Sequence, residues 1–274
     1  MSASRKASDP ERPGRPTAAH SQAPTQKKRP RATTTRRKAP RRPPAPSLLK
    51  LALEVQRRLL ESYGEPTWRT PLPPVDELVS TILSQNTNDL NRDRAFAALQ
   101  ERFPTWEAVR DARPQAVIRA IRPAGLANLK GPRIQQALRA ITEARGRLEL
   151  EFLRELTPDD ARDWLLRLKG VGPKTAAIVL QFSLGTPAFP VDTHIHRVSG
   201  RLGLRPEKAS AEQAHTLLAR LFPPESYYSA HLNLIQHGRQ VCKARRPLCE
   251  RCALTDLCRY YRKVVAPKVK TGAA

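Results

Sequence analysis

Residues 47–66 read SLLKLALEVQRRLLESYGEP, with Leu and Val recurring at helical spacing, Ser47 placed to cap the start, and Gly64 and Pro66 as a stop. Similar patterns predict helices at 74–86, 89–102, 105–112, 115–121, 131–145, 159–168, 173–184, 193–202, 210–222 and 226–241. Thr105 and Ser210 stand where caps are expected. Prolines 104, 114, 158, 173 and 206 fall at or near helix starts, where a missing N–H is harmless. No sustained alternation of period two is present, so few or no strands are expected. The expected fold class is all-α, built from short helices with short connections and no internal repeat.

The 274 residues suffice for two modest domains, each with a core. Lys and Arg outnumber Asp and Glu by 49 to 25, a net charge of +24, which points to a polyanionic partner: nucleic acid or an acidic membrane. No apolar run approaches the roughly 20 residues of a membrane span, and no secretory h-region opens the chain, so a soluble protein is expected. Residues 1–46 hold thirteen Lys/Arg against Asp9 and Glu11, with nine prolines and almost no large apolar residues. Such a segment buries too little surface to offset its ordering entropy, and disorder is expected for it. Its basic runs suit a non-specific DNA-binding tail, or a nuclear or organellar address; in a bacterium the protein would work in the cytoplasm, at the nucleoid. The remaining residues still carry +24 − 11 = +13.

Residues 168–180, LKGVGPKTAAIVL, join two helical patterns through a glycine-bearing turn. Gly170 and Gly172 permit a tight reversal and a close backbone approach, and the amides opening the next helix would suit a phosphate. An ordinary αα-hairpin explains the glycines equally well. Eighteen residues beyond Lys174, Asp192 lies in FPVDTHIHRV. By itself Asp192 reads as a helix N-cap; a capping carboxylate is also a fixed one, as catalysis requires.

The four cysteines Cys242, Cys249, Cys252 and Cys258 are spaced C-x6-C-x2-C-x5-C. Disulfides suit small secreted domains rather than a basic helical protein. Four thiolates suit structural zinc or a [4Fe–4S] cluster, and chemistry alone favours zinc.

Together, LKGVGPKTAAIVL and VDTHIHRV resemble the signature of the endonuclease III family of DNA glycosylases, in which a helix-hairpin-helix precedes a Gly/Pro-rich loop and a catalytic aspartate. The resemblance covers about residues 48–261 and includes the cysteine spacing, so it implies a [4Fe–4S] cluster as cofactor. Lys174 matches the family's nucleophilic lysine and Asp192 its catalytic aspartate. Leu126, in AGLANLKG, matches a leucine that wedges into DNA, although Ala127 replaces a bulkier family residue. Gln85 or Asn86, in ILSQNTND, matches the residue that fills the gap left by an extruded base. Gly170 and Gly172 match the phosphate-holding hairpin, and Lys243, Arg245 and Arg246 lie on a loop between cluster cysteines that would face DNA. His194 and His196 would shape the pocket or pack, and packing is favoured for His196.

The implied function is excision of oxidised pyrimidines from double-stranded DNA, with abasic-site cleavage through a lysine Schiff base, by a monomer with no membrane attachment. Burial near cations would make Lys174 reactive. The alternatives are a monofunctional thymine, uracil or adenine mismatch glycosylase, or a non-catalytic DNA-binding scaffold. Ser80 stands where the adenine branch has a glutamate. The implied architecture is a six-helix barrel at 76–186 and an iron-sulfur domain from 47–75 plus 187–262, with a DNA cleft between them and a disordered tail at 263–274.

Deleting residues 1–46 should weaken DNA binding without abolishing chemistry. It should flatten the plot of log affinity against log salt by roughly one unit for each phosphate that the tail neutralises. An unchanged slope would remove the tail from DNA binding.

Overall fold

The structure, a computed structural model, describes residues 44–266. Most of the basic tail lies outside the described residues, as do residues 267–274. Eleven α-helices follow one another in the described part: α1 Pro46–Tyr63, α2 Pro74–Ser84, α3 Asp89–Arg102, α4 Trp106–Asp111, α5 Pro114–Ala120, α6 Ala127–Arg145, α7 Pro158–Leu165, α8 Pro173–Ile178, α9 Thr193–Leu202, α10 Ala211–Ala219 and α11 Tyr227–Gln240. No strand occurs among the described residues. The chain is all-α, as the pattern predicts.

Caps set many of the starts. Thr105 accepts the amide of Ala108 at 3.2 Å. Ser210 and Gln213 form a reciprocal capping box at the start of α10. Ser47 does not cap α1, which begins one residue earlier with Pro46 in its first turn and Ala45 before it. Proline needs no donor partner there. Helix α6 begins at Ala127, four residues before the predicted start, and runs through Gly131 and Pro132. Those residues look like breakers in sequence, yet the proline lies near enough to the helix start to forfeit only one bond.

The predicted helix at 173–184 changes character midway. After α8 the chain makes a π-type turn, Val179–Ser183, closed by Leu184 N donating to Val179 O at 3.2 Å. The Arg154 guanidinium receives the end of this turn, donating to the carbonyls of Ser183 and Leu184. Residues 263–265 are also helical, in a π-type turn at Tyr261–Val265, rather than tail. The amide of Tyr261 donates to Cys258 Sγ at 3.4 Å, and that of Arg262 to Cys258 O at 3.2 Å, which continues the chain helically.

Two apolar cores hold these helices. One gathers Leu78, Ile82, Leu99, Ile134, Leu138, Leu165 and Val179 from α2 to the π turn. The other gathers Val55, Leu59, Ile195, Val198, Leu218, Leu234 and Leu254 from α1, α9, α10, α11 and the segment beyond. Each fully buried leucine or isoleucine contributes on the order of 1.5–3 kcal/mol. Helices α9 and α11 pack closely in the second core. At Gly238 an added Cβ would lie 2.8 Å from the Cβ of His194.

Gly238→Ala should therefore push α9 and α11 apart and destabilise the fold by about 1–3 kcal/mol. Urea unfolding measures this, and an unchanged midpoint would show that the two helices separate freely.

Candidate active site and metal centre

The hairpin is built by α7, the turn 166–172 and α8. Leu165, Leu168, Val171, Ala176, Val179 and Leu180 anchor both arms in the first core. Gly170 adopts φ +87°, where a side chain would be strained and would press on the Arg133 stem at 3.0 Å. The space beside Gly172 is open, with no heavy atom within 4 Å of a built Cβ. Lys174, in the first turn of α8, is exposed. The burial expected for it is absent, because the hairpin carries it outward from the core.

Asp192 is half-buried and caps α9, its Oδ1 accepting the amide of Ile195 at 2.8 Å. Behind it lies His231, buried on α11, with Nδ1 2.9 Å from the carbonyl of Pro190. Burial pushes the His231 imidazole down to about 4, against the Pro190 contact and the Asp192 charge, while Lys174 adds to the depression. No ion pair joins Lys174 and Asp192 among the described residues. His215, on α10, is also pushed down to about 4, first by burial, with Lys174 contributing; its Nδ1 meets the Phe189 carbonyl at 3.0 Å. An aromatic row extends from His231: Phe182 at 5.4 Å, Tyr228 at 5.4 Å from Phe182, and Trp68 stacked on Tyr228 at 3.7 Å. Arg69 lies over Phe182 and pairs with the buried Glu77.

The predicted gap-filling residues lie at two loop ends. Gln85 turns toward the hairpin, its Nε2 donating to Gly170 O at 3.4 Å. Asn86 is exposed with φ +53°. Leu126 is 51% exposed with φ +50°, which places it outside the core. Asn86, Leu126 and Arg246 are the non-glycine residues with positive φ among the described residues. This conformation costs on the order of 1–3 kcal/mol at each and marks positions held by their surroundings.

All four cysteines line one hollow, shared with Arg201, His237, Pro247, Tyr260 and Tyr261. Among the described residues no His, Cys, Asp or Glu group closes around a single ion; what the cysteines share is the hollow. Burial is the main cause that pushes the Cys249, Cys252 and Cys258 thiols up, and neighbouring sulfurs add to it. Sulfurs that repel one another as thiolates suit a cationic centre that draws off their charge. Donors already face them: Leu254 N to Cys252 Sγ at 3.4 Å, and Arg201 Nη1 to Cys242 Sγ at 3.3 Å. The residues present therefore fit an iron–sulfur centre.

Lys243, Arg245 and Arg246 are exposed on the loop between Cys242 and Cys249. Arg201 holds the base of that loop, donating to Lys243 O at 2.7 Å and Ala244 O at 3.0 Å. His194 and His196 are both engaged in packing. His194 Nδ1 meets Arg197 at 3.1 Å, and His196 bridges Ala209 O and Arg205, each at 3.0 Å. Arg201, His215 and His231 are not legible as site residues in the sequence, because single polar residues on amphipathic helices carry no local signal; only packing shows what they face.

Known proteins resemble this chain in sequence and fold. Residues 79–224 match the HhH-GPD superfamily of base excision DNA repair proteins, and residues 242–258 match the iron-sulfur binding domain of endonuclease III. The chain is 34% identical to endonuclease III of Thermotoga maritima over 213 residues, covering 78% of this chain and 92% of that protein. It is 36% identical to an Arabidopsis thaliana relative, of which it spans 62%. A trapped endonuclease III–DNA covalent intermediate superimposes with a TM-score of 0.68 at 29% identity, covering 78% of this chain and 97% of that one.

Three desolvated histidines, His215, His231 and His237, set a pH dependence. Their folded values, about 4, lie below the roughly 6.5 of an unfolded histidine, so the unfolded chain binds protons more readily. Their contribution to stability is complete above pH ~6.5 and is lost as pH falls toward ~4, at up to about 1.4 kcal/mol per pH unit for each ring. Urea unfolding between pH 7.5 and 4.5 should show this slope, and His215→Gln should flatten it. An equal slope in the variant would mean that other groups carry it.

Proposed function

The chain belongs to the HhH-GPD superfamily of base excision DNA repair proteins, in its endonuclease III family, and from that premise we propose that it removes oxidised pyrimidines from duplex DNA and then cleaves the abasic strand. As a member of that family it is a DNA-binding base excision glycosylase with a [4Fe–4S] cofactor.

The family match carries this reading, together with a lysine in the first turn behind the hairpin and an aspartate fixed as the cap of α9. The extruded nucleotide sits between the hairpin and the start of α9. Lys174 Nζ attacks the sugar C1′ as the bond from C1′ to the base breaks, and the base leaves with a proton. Loss of the amine protons and opening of the sugar give a Schiff base, from which removal of a C2′ proton expels the 3′ phosphate. Asp192, held by its cap bond, steadies the positive charge on the sugar and takes part in the proton transfers. Lys174 is exposed in the free protein, and the extruded sugar itself supplies its cover. His231, neutral behind the carboxylate, adds no competing cation.

DNA contacts the hairpin, the start of α9 and the basic loop. Gly170 and Gly172 bring hairpin amides to a phosphate, and Lys243, Arg245 and Arg246 meet further phosphates. Leu126 and Asn86 enter the stack, with Gln85 bracing the hairpin. Cys242, Cys249, Cys252 and Cys258 hold the cluster, which cross-links the basic loop and reduces the entropy it loses on DNA. One copy of the chain carries all these groups, so a monomer suffices.

A panel of duplexes bearing thymine glycol, dihydrouracil, uracil, 8-oxoguanine or an abasic site tests the assignment. Thymine glycol and dihydrouracil should be released and the abasic strand nicked. Lys174→Gln should abolish the borohydride-trapped adduct, and Asp192→Asn should slow base release about 10²- to 10⁴-fold. A trapped adduct in the glutamine variant would exclude Lys174 as nucleophile.

A further inference from the structure

Lys130 closes the first turn of α6 and is 1% exposed. Its Nζ donates to Leu83 O and to Ala124 O, each at 2.8 Å. No carboxylate pairs with it among the described residues, and burial alone pushes its ammonium down. A buried cation without a counter-ion is costly, and an apolar side chain would fill the same space at less expense. The two carbonyls explain why a cation is tolerated. Leu83 lies in the last turn of α2, and Ala124 ends the 3₁₀ turn Arg122–Ala124, so both are carbonyls at helix C-terminal ends, where a cation is favoured.

Their positions also matter. Leu83 is two residues before Gln85 and three before Asn86; Ala124 is two before Leu126. The Lys130 backbone amide donates to Leu126 O at 3.0 Å, so one residue holds the Leu126 turn from both its side chain and its main chain. We propose that Lys130 is a positioning residue whose buried ammonium fixes the spacing between the two loop ends that enter the DNA stack. This rests on the assignment of Leu126 and Asn86 as gap-filling residues made above. Both are held at positive φ, and a shared tether keeps both strained ends in register.

The test separates base extrusion from the chemistry that follows it. An abasic site has no base to unstack, so its cleavage depends less on the gap-filling residues than base release does. Lys130→Met keeps the stem and removes both hydrogen bonds. In single-turnover assays it should slow release of dihydrouracil about tenfold or more, yet slow cleavage of a preformed abasic site by only about threefold or less. The fluorescence of 2-aminopurine beside the lesion should rise less on binding of this variant than of the wild type. Equal losses in the two reactions, or no loss in either, would overturn the proposal. If the methionine variant does not fold, as a thermal melt will show, Lys130→Arg keeps a cation of altered reach and carries the same comparison with the same outcomes. Failure of the functional reading is distinguishable: a wild type that neither releases base nor nicks abasic DNA overturns that reading before any variant is compared.

Discussion

The hydrogen bond from the Ile195 amide to Asp192 is the constraint on which the site depends. It starts α9 and immobilises a carboxylate in the same contact. Helix α9 then carries the constraint inward: Ile195, Val198 and Leu202 lock it into the second core, and Gly238 lets α11 approach. His231 on α11 is thereby seated behind Asp192, and Arg201 at the far end of α9 reaches Cys242 and the basic loop. One ten-residue helix therefore links the carboxylate, the buried imidazole and the metal-binding loop.

The two loop ends that carry Asn86 and Leu126 are held in strained conformations. Asn86 and Leu126 sit at positive φ at the ends of segments whose neighbours are anchored in the first core. The penalty at each is small beside the burial of Ile82, Leu83 and Ile134 close by, so the core can hold exposed residues in unfavourable conformations. Lys130 and Gln85 then join these ends to each other and to the hairpin through carbonyl oxygens alone.

The basic loop shows the same economy. Its cations are exposed, and its backbone is held by Arg201 and by the Leu248 amide on Val241 O at 3.0 Å. Freedom is removed from the main chain and left at the side-chain tips, which suits contact with a phosphate backbone whose sequence is not read.

The helical pattern, Thr105 and Ser210 as caps, the Gly-Val-Gly turn and the cysteine spacing were legible in the chain, because each is a local matter of periodicity, capping or ligand separation. The structure departs from the pattern where context overrides local preference. Ser47 yielded its cap to a proline start, Gly131 and Pro132 were carried inside α6, and the helix after Lys174 turned into a π turn whose end is bound by Arg154, some thirty residues away. The exposure of Lys174 and the contacts of Lys130, His231 and Arg201 were decided only by tertiary structure. A lone Lys, His or Arg on an amphipathic helix looks alike whether it meets water, a carbonyl or a charge, and what it meets is set by segments distant in sequence.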